Sequence, residues 1–317
     1  MDDIPVVDGH LDTILAHRVQ VRSLAKESKK GHVDVPRMKR GNVQAAVFSL
    51  CPTKSKWLAS KFTRAWFRDI NDKQNGLIQV KAFGDFERAR QSGKIGAILH
   101  YEGAGCVDKE FTFLETAAGL GLRAICITWM DQNKFGSGAK FEGTQCPDGL
   151  TDLGKELVTR AQIKGITIDV SHLNDPGFWD VVSVAKKPII ASHSNCRELC
   201  SHPRNLTDDQ IKAIGEKKGT IGINFSGKFL VTNWKDDATP ITFGVLKRHI
   251  DNIASIAGIA TVAIGSDFDG TKIPDCLKDC TKFPDLFQYL LNNGYSRQDV
   301  NKIAHENLLR VFKATWT

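Results

Sequence analysis

Nowhere does this chain run through the roughly 18 consecutive apolar residues that a membrane-spanning helix requires. Its start, Met1-Asp2-Asp3-Ile4-Pro5, lacks the basic n-region and apolar run of a signal peptide, and its last residues carry no lipidation or anchor motif. A protein of the cell interior is therefore expected, cytoplasmic and without a membrane partner. No Pro/Ser-rich linker, low-complexity tract or exact repeat marks a domain boundary. With 41% hydrophobic and 25% charged residues in 317, the chain is neither a disordered tail nor a collagen-like fibre, and it is too long to need staples.

A strong charge of one sign is also missing. Lys and Arg number 43 against 36 Asp and Glu, a net +7. The densest basic stretches, Lys26 to Lys30 and Arg37-Met38-Lys39-Arg40, have no interleaved aromatics and no nucleic-acid motif, so no nucleic-acid partner is expected. A solvated basic face that draws in anionic substrates is the expected reading. Eight cysteines stay thiols where no secretory signal precedes them. Two pairs, Cys196/Cys200 and Cys276/Cys280, would each share a helix face; free thiols are the default for them, and a structural zinc site the alternative.

What the chain does have is a recurring unit: a short apolar, β-branched run, a polar residue, then a helical stretch. The runs are Val6-Val7, Ala45 to Leu50, Ile95 to Leu99, Ala124 to Thr128, Gly165 to Val170, Pro188 to Ala191, Thr220 to Asn224 and Thr261 to Ile264. Fully apolar short runs read as strands buried on both faces, the mark of a parallel sheet. Helical periodicity follows Thr151 and Thr207, both suited to cap a helix. Eight such units predict an α/β fold, a single-domain (β/α)8 barrel of TIM type over residues 1–317, with 283–317 as terminal helices. A doubly wound open sheet is the alternative, but Asp8-Gly9-His10 after the first run is not its phosphate-binding glycine loop.

The chemistry lies just after these runs. The first continues into Asp8-Gly9-His10-Leu11-Asp12, where His10 and Asp12, two apart, point to one side of an extended backbone. Others continue into His100-Tyr101-Glu102-Gly103, Asp169-Val170-Ser171-His172, Ala191-Ser192-His193-Ser194 and Gly265-Ser266-Asp267-Phe268-Asp269-Gly270. In a barrel these ends converge on one mouth. Five strand ends with metal-compatible side chains predict a metal centre there. His100, on the face of Glu102, is a candidate to support the ligands from behind. His17, His32, His202, His249 and His305 read as surface or packing residues.

These segments, together with Asp148-Gly149-Leu150-Thr151, Gly154-Lys155-Glu156-Leu157-Val158 and Pro203-Arg204-Asn205-Leu206, closely resemble the membrane (renal) dipeptidase family, peptidase family M19, of the amidohydrolase-type barrels. The resemblance covers nearly the whole chain. It implies a zinc-dependent dipeptidase with two Zn2+ per chain: His10 and Asp12 on one, His172 and His193 on the other, Glu102 bridging. The implied nucleophile is a metal-bridging hydroxide, with Asp267 accepting its proton or holding the substrate amino group. Arg204 would clamp the substrate carboxylate. The implied substrate is a dipeptide with free ends, a D-residue tolerated in the C-terminal position. Zinc over manganese or iron, and a homodimer, are expected on the resemblance alone.

One departure stands out. The family commonly carries Leu-Thr-His after the fourth strand, where this chain has Ile127-Thr128-Trp129. An indole donates one hydrogen bond but cannot carry a positive charge. Either a neighbour such as Asn133 takes over at the scissile carbonyl, or the substrate is a non-peptide amide, a lactam or a specialised metabolite; Trp129 itself either contacts the substrate or packs the mouth. The loop Asn133 to Asp148 would serve as part of a substrate lid. A barrel that binds without catalysis, and a phosphate-binding isomerase, are the remaining alternatives. The intact ligand set argues against the first, and the lack of a glycine-rich anion loop against the second.

Overall fold

The computed structural model describes residues 4–139, 148–235 and 240–316. The apolar runs form strands β1 (Val6–Leu11), β2 (Val43–Leu50), β3 (Leu77–Gln79), β4 (Ile95–Glu102), β5 (Leu122–Cys126), β6 (Thr167–Asp169), β7 (Ile189–Ala191), β8 (Thr220–Ile223) and β9 (Val262–Ile264). All pairings between them are parallel. Eight close a ring in the order β1-β2-β4-β5-β6-β7-β8-β9, sealed by Asp8 against Ile264. Helices connect successive strands, and the fold is a (β/α)8 barrel.

The ninth strand is β3, which the apolar runs did not foretell. It pairs with Ile95 to Ala97 on the edge of β4 that β5 takes up from Leu99 onward. Two strands run longer than expected: β1 continues through His10, and β4 through Glu102, so both residues sit on rigid backbone. The sequence-read caps form as expected. Thr151 accepts from Gly154 N–H, and Thr207 and Gln210 make a reciprocal box.

Alternation on β2 divides the core into two layers. Ala46, Phe48 and Leu50 face the helices, with Phe48 5.9 Å from the Trp66 ring. Ala45 and Val47 face the barrel interior, where they meet Val7, Ile98, Ile190 and Ala263. That inner cluster is closed from below by Leu308, Val311 and Phe312 of the last helix, Asn307–Thr315. Burial of each such side chain contributes about 1.5–3 kcal/mol. The other end of the barrel is left for chemistry. Among the described residues no helix is long and apolar enough to cross a membrane.

Candidate metal centre

Each ligand candidate is delivered by the end of a strand. His10 lies inside β1, while Asp12 has left it, with φ −96° and ψ 16°, to begin the helix Thr13–Val19. The two-residue spacing still brings them together: His10 Nε2 is 3.8 Å from Asp12 Oδ2. Glu102, last in β4, reaches between two groups. Its Oε2 lies 3.6 Å from His10 Nε2 and accepts from Ser49 Oγ at 3.0 Å. Its Oε1 lies 2.7 Å from His172 Nε2 and 3.6 Å from His193 Nε2.

His172 follows β6 in the left-handed region, φ +71°, its carbonyl held by Ala139 N–H and Thr128 Oγ1. Asp267 follows β9 at φ +61°. Its N–H donates to the His10 carbonyl and its Oδ2 accepts from Asn224 at 3.0 Å. Non-glycine residues in that region cost of order 1 kcal/mol or more and persist only where surrounding bonds impose them.

The donor set fits a cation. His10 Nε2 is buried without a hydrogen-bond partner, facing two carboxylates that are too far for a hydrogen bond. Burial opposes charge on His10, yet Glu102 pushes its pKa well up. Glu102 itself, despite burial, is held far below the usual carboxylate range by His10 and His172. Burial raises Asp12 and lifts Asp267 to about 7, and the negative charge of Glu102 adds to both shifts. Acidic and imidazole atoms thus crowd a space where a positive charge would relieve them.

A cavity of about 870 Å³ opens over this cluster, lined among others by Asp12, Glu102, Trp129, His172, His193 and Asp267. Trp129 is half-buried, its ring 6.4 Å from that of His172 and capped by Lys54 Nζ at 5.1 Å. Arg204 lies behind His193 and does not line the cavity. Its Nη2 donates to the His193 carbonyl at 3.2 Å and its guanidinium covers Phe229 at 5.6 Å. It is buried, burial pulls its pKa down, and among the described residues no carboxylate forms an ion pair with it. Its Nε has no partner.

Asn133 is not brought to the cavity. Its amide donates to the Ile127 carbonyl and accepts from Phe135 N–H, so both ends are spent on a turn. Of the loop expected to form a lid, residues 140–147 lie outside the described residues. The seven described cysteines are free thiols, with Cys196 and Cys200 bonded separately to the backbone carbonyls of His249 and Lys228. His100 does stand behind the ligands: Nδ1 is 3.3 Å from Ser49 Oγ, and Nε2 is 3.2 Å from Asp169 Oδ2.

Two further acids escape the sequence reading. Asp8 accepts from His10 N–H, Ser266 N–H and Ser266 Oγ, and so ties β1 to the end of β9. Asp169 does the same between β6 and β7, through Ser171 N–H and Ser192 N–H. A signal was present: each acid interrupts a buried apolar run, and a buried carboxylate needs partners.

Such donors at the mouth of a parallel barrel define the class, a metal-dependent hydrolase. The chain belongs to the membrane dipeptidase family, peptidase family M19, which it matches over residues 1–317. The uncharacterized protein in the pqqA 5′ region of Klebsiella pneumoniae is 40% identical over 236 residues, 73% of this chain and 86% of that one. A Rhodobacter sphaeroides metallo peptidase, crystallised with a phosphinate mimic of L-Ala-D-Ala, superposes with a TM-score of 0.91 at 29% identity, covering 99% of this chain and 100% of that one. Dipeptidase AC, a family M19 metallo peptidase, matches equally at 0.91 and 29%, covering 99% of each chain.

Proposed function

We propose that the protein is a zinc-dependent dipeptidase holding two zinc ions, acting on dipeptides with free ends and tolerating a D-residue at the C-terminal position. One observation carries this reading: the two oxygens of Glu102 are divided, Oε2 toward His10, which Asp12 joins in one cluster, and Oε1 toward His172 and His193. Membership of the dipeptidase family and the similar peptidase bound to a mimic of L-Ala-D-Ala support it. A cytoplasmic location and a homodimer belong to the same proposal; the free thiols fit a reducing compartment.

When bound, a zinc pair supplies a Lewis acid for the scissile carbonyl and a hydroxide nucleophile at neutral pH. The chain's own groups do the rest. Arg204, a buried cation behind His193 whose Nε has no partner, is the guanidinium proposed to clamp a substrate carboxylate, and it must swing past His193 into the cavity to do so. Asp267, steadied by Asn224, takes the proton of the attacking water and passes it to the leaving amine, or holds the substrate's ammonium. Trp129, capped by Lys54, lines the same cavity.

A second reading has its own support. The cavity, about 870 Å³, lies near the top of the range that holds drug-sized ligands, and suits a bulkier amide than a dipeptide. A hydrolysis screen of L-L dipeptides, L-D dipeptides, β-lactams and bulky acyl amides with added zinc separates the two. Turnover of dipeptides at kcat/KM near 10⁴ M⁻¹s⁻¹ or above is expected. Turnover confined to the non-peptide amides would overturn the dipeptidase reading, and none at all the hydrolase.

A further inference from the structure

One hydroxyl touches a ligand from each half of the proposed metal pair. Ser192 Oγ lies 2.7 Å from His193 Nδ1 and 3.3 Å from His10 Nδ1. Both rings turn their Nε2 toward Glu102, His193 at 3.6 Å from Oε1 and His10 at 3.6 Å from Oε2. A neutral imidazole has one N–H and one lone pair, so a ring that gives Nε2 to a metal carries its hydrogen on Nδ1. With both sites filled, two N–H groups meet the same oxygen. A hydroxyl oxygen has two lone pairs to receive them.

Ser192 is held unusually firmly for this task. Its N–H donates to Asp169 Oδ1 at 2.9 Å. Its carbonyl lies against three glycines on three neighbouring strands or their ends: a Cβ on Gly9, Gly222 or Gly265 would come within 3.1, 2.0 and 1.8 Å of that oxygen. Side chains at the last two positions would collide with backbone, so only glycine admits the Ser192 peptide into the barrel interior. The residue is buried and cannot shift without moving three strands.

We infer that Ser192 is a positioning residue that couples the two metal sites, fixing the tautomer and orientation of His10 and His193 through one shared hydroxyl. The inference rests on the two-zinc reading and adds to it a physical link between the ions on the side opposite Glu102. Removing the hydroxyl alone should then weaken both sites together. Outer partners of metal-ligating histidines are typically worth 10- to 100-fold in affinity.

The test is zinc titration of purified apo protein against a chromophoric chelator, for wild type, Ser192→Ala and Ser171→Ala. Ser171 is the matched control: its hydroxyl is equally buried but serves only one ligand, accepting from His193 N–H at 3.2 Å. We expect two ions in wild type, a 10- to 100-fold loss at both sites in Ser192→Ala, and loss at no more than one site in Ser171→Ala. Circular dichroism of apo Ser192→Ala reports whether the fold is kept. Nitrogen-15 NMR of the zinc-loaded wild type supplies the second readout, with His10 and His193 both protonated at Nδ1. Unchanged affinities, loss at a single site in Ser192→Ala, or either ring protonated at Nε2 would overturn the coupling. Fewer than two ions in wild type would overturn the two-zinc reading beneath it.

Discussion

His172 and His193, carried by the ends of the adjacent strands β6 and β7, bring their Nε2 atoms to 2.9 Å from each other. Glu102 Oε1 lies 2.7 Å from the first and 3.6 Å from the second, completing a compact triangle of donor atoms of the kinds zinc takes. Chelation should therefore unsettle the fold as well as stop turnover. Zinc at a hundredfold over Kd stabilises by about 2.7 kcal/mol, and the melting temperature should fall on chelation and return on zinc addition. Glu102→Gln should reduce zinc from two ions per chain to one at most, read by elemental analysis. A melting temperature indifferent to chelator would contradict the site.

Arg204→Ala tests the carboxylate clamp. Charge-assisted hydrogen bonds are worth about 1.5–3 kcal/mol, so KM for free dipeptides should rise roughly tenfold to a hundredfold. Carboxyl-amidated analogues should be hydrolysed equally by variant and wild type. Arg204→Lys keeps the charge without the planar fork and should recover only part of the affinity. Equal losses on both substrate types would remove Arg204 from substrate binding.

Asp267→Asn keeps a partner for Asn224 but cannot take a proton. kcat should fall by roughly 10²- to 10⁴-fold with zinc content unchanged. A variant turning over within a factor of three of wild type would show that proton transfer runs through another group.

His249, which has no part in the proposed metal site, contributes to acid stability. Its Nδ1 accepts from Cys196 N–H at 3.2 Å and its Nε2 donates to the Leu230 carbonyl at 3.1 Å, an arrangement open only to the neutral ring. Burial, with Arg248 adding to it, pulls its pKa down from 6.5 to about 4. Below pH 6.5 the unfolded chain therefore gains a proton that the native ring refuses. Stability is full above 6.5 and declines as the pH falls toward 4. The loss is about 2 kcal/mol at pH 5. The urea midpoint should drop between pH 7 and 5 in wild type and less in His249→Gln, whose amide can still accept and donate.

The barrel was legible because strands buried on both faces admit little but apolar residues, as in Ile95 to Leu99. Leu77–Gln79 was not, since three residues on the outer edge of β4 carry no pattern longer than chance. The metal-compatible cluster at the strand ends was legible for the same reason that Glu102 is noticeable: a charge at the edge of an apolar run has to be explained. Asn133 misled because an amide's chemistry reads the same in a binding site and in a turn. Ser192 was invisible as a function, because its partner His10 lies 182 residues away and only the closed sheet brings them together. Arg204 was legible as a cation among loop residues, but not its place behind His193.

The inner floor of the barrel is laid by Leu308, Val311 and Phe312, from nearly the last residues of the chain. The inward faces of β1 and β2 are thus covered only by residues that follow them by about 260 to 300 positions. Contacts spanning some 300 residues, such as Val7 with the last helix, also make closure a slow, high-separation event. A chain folded only as far as β9 would hold every proposed zinc ligand and still lack a finished interior.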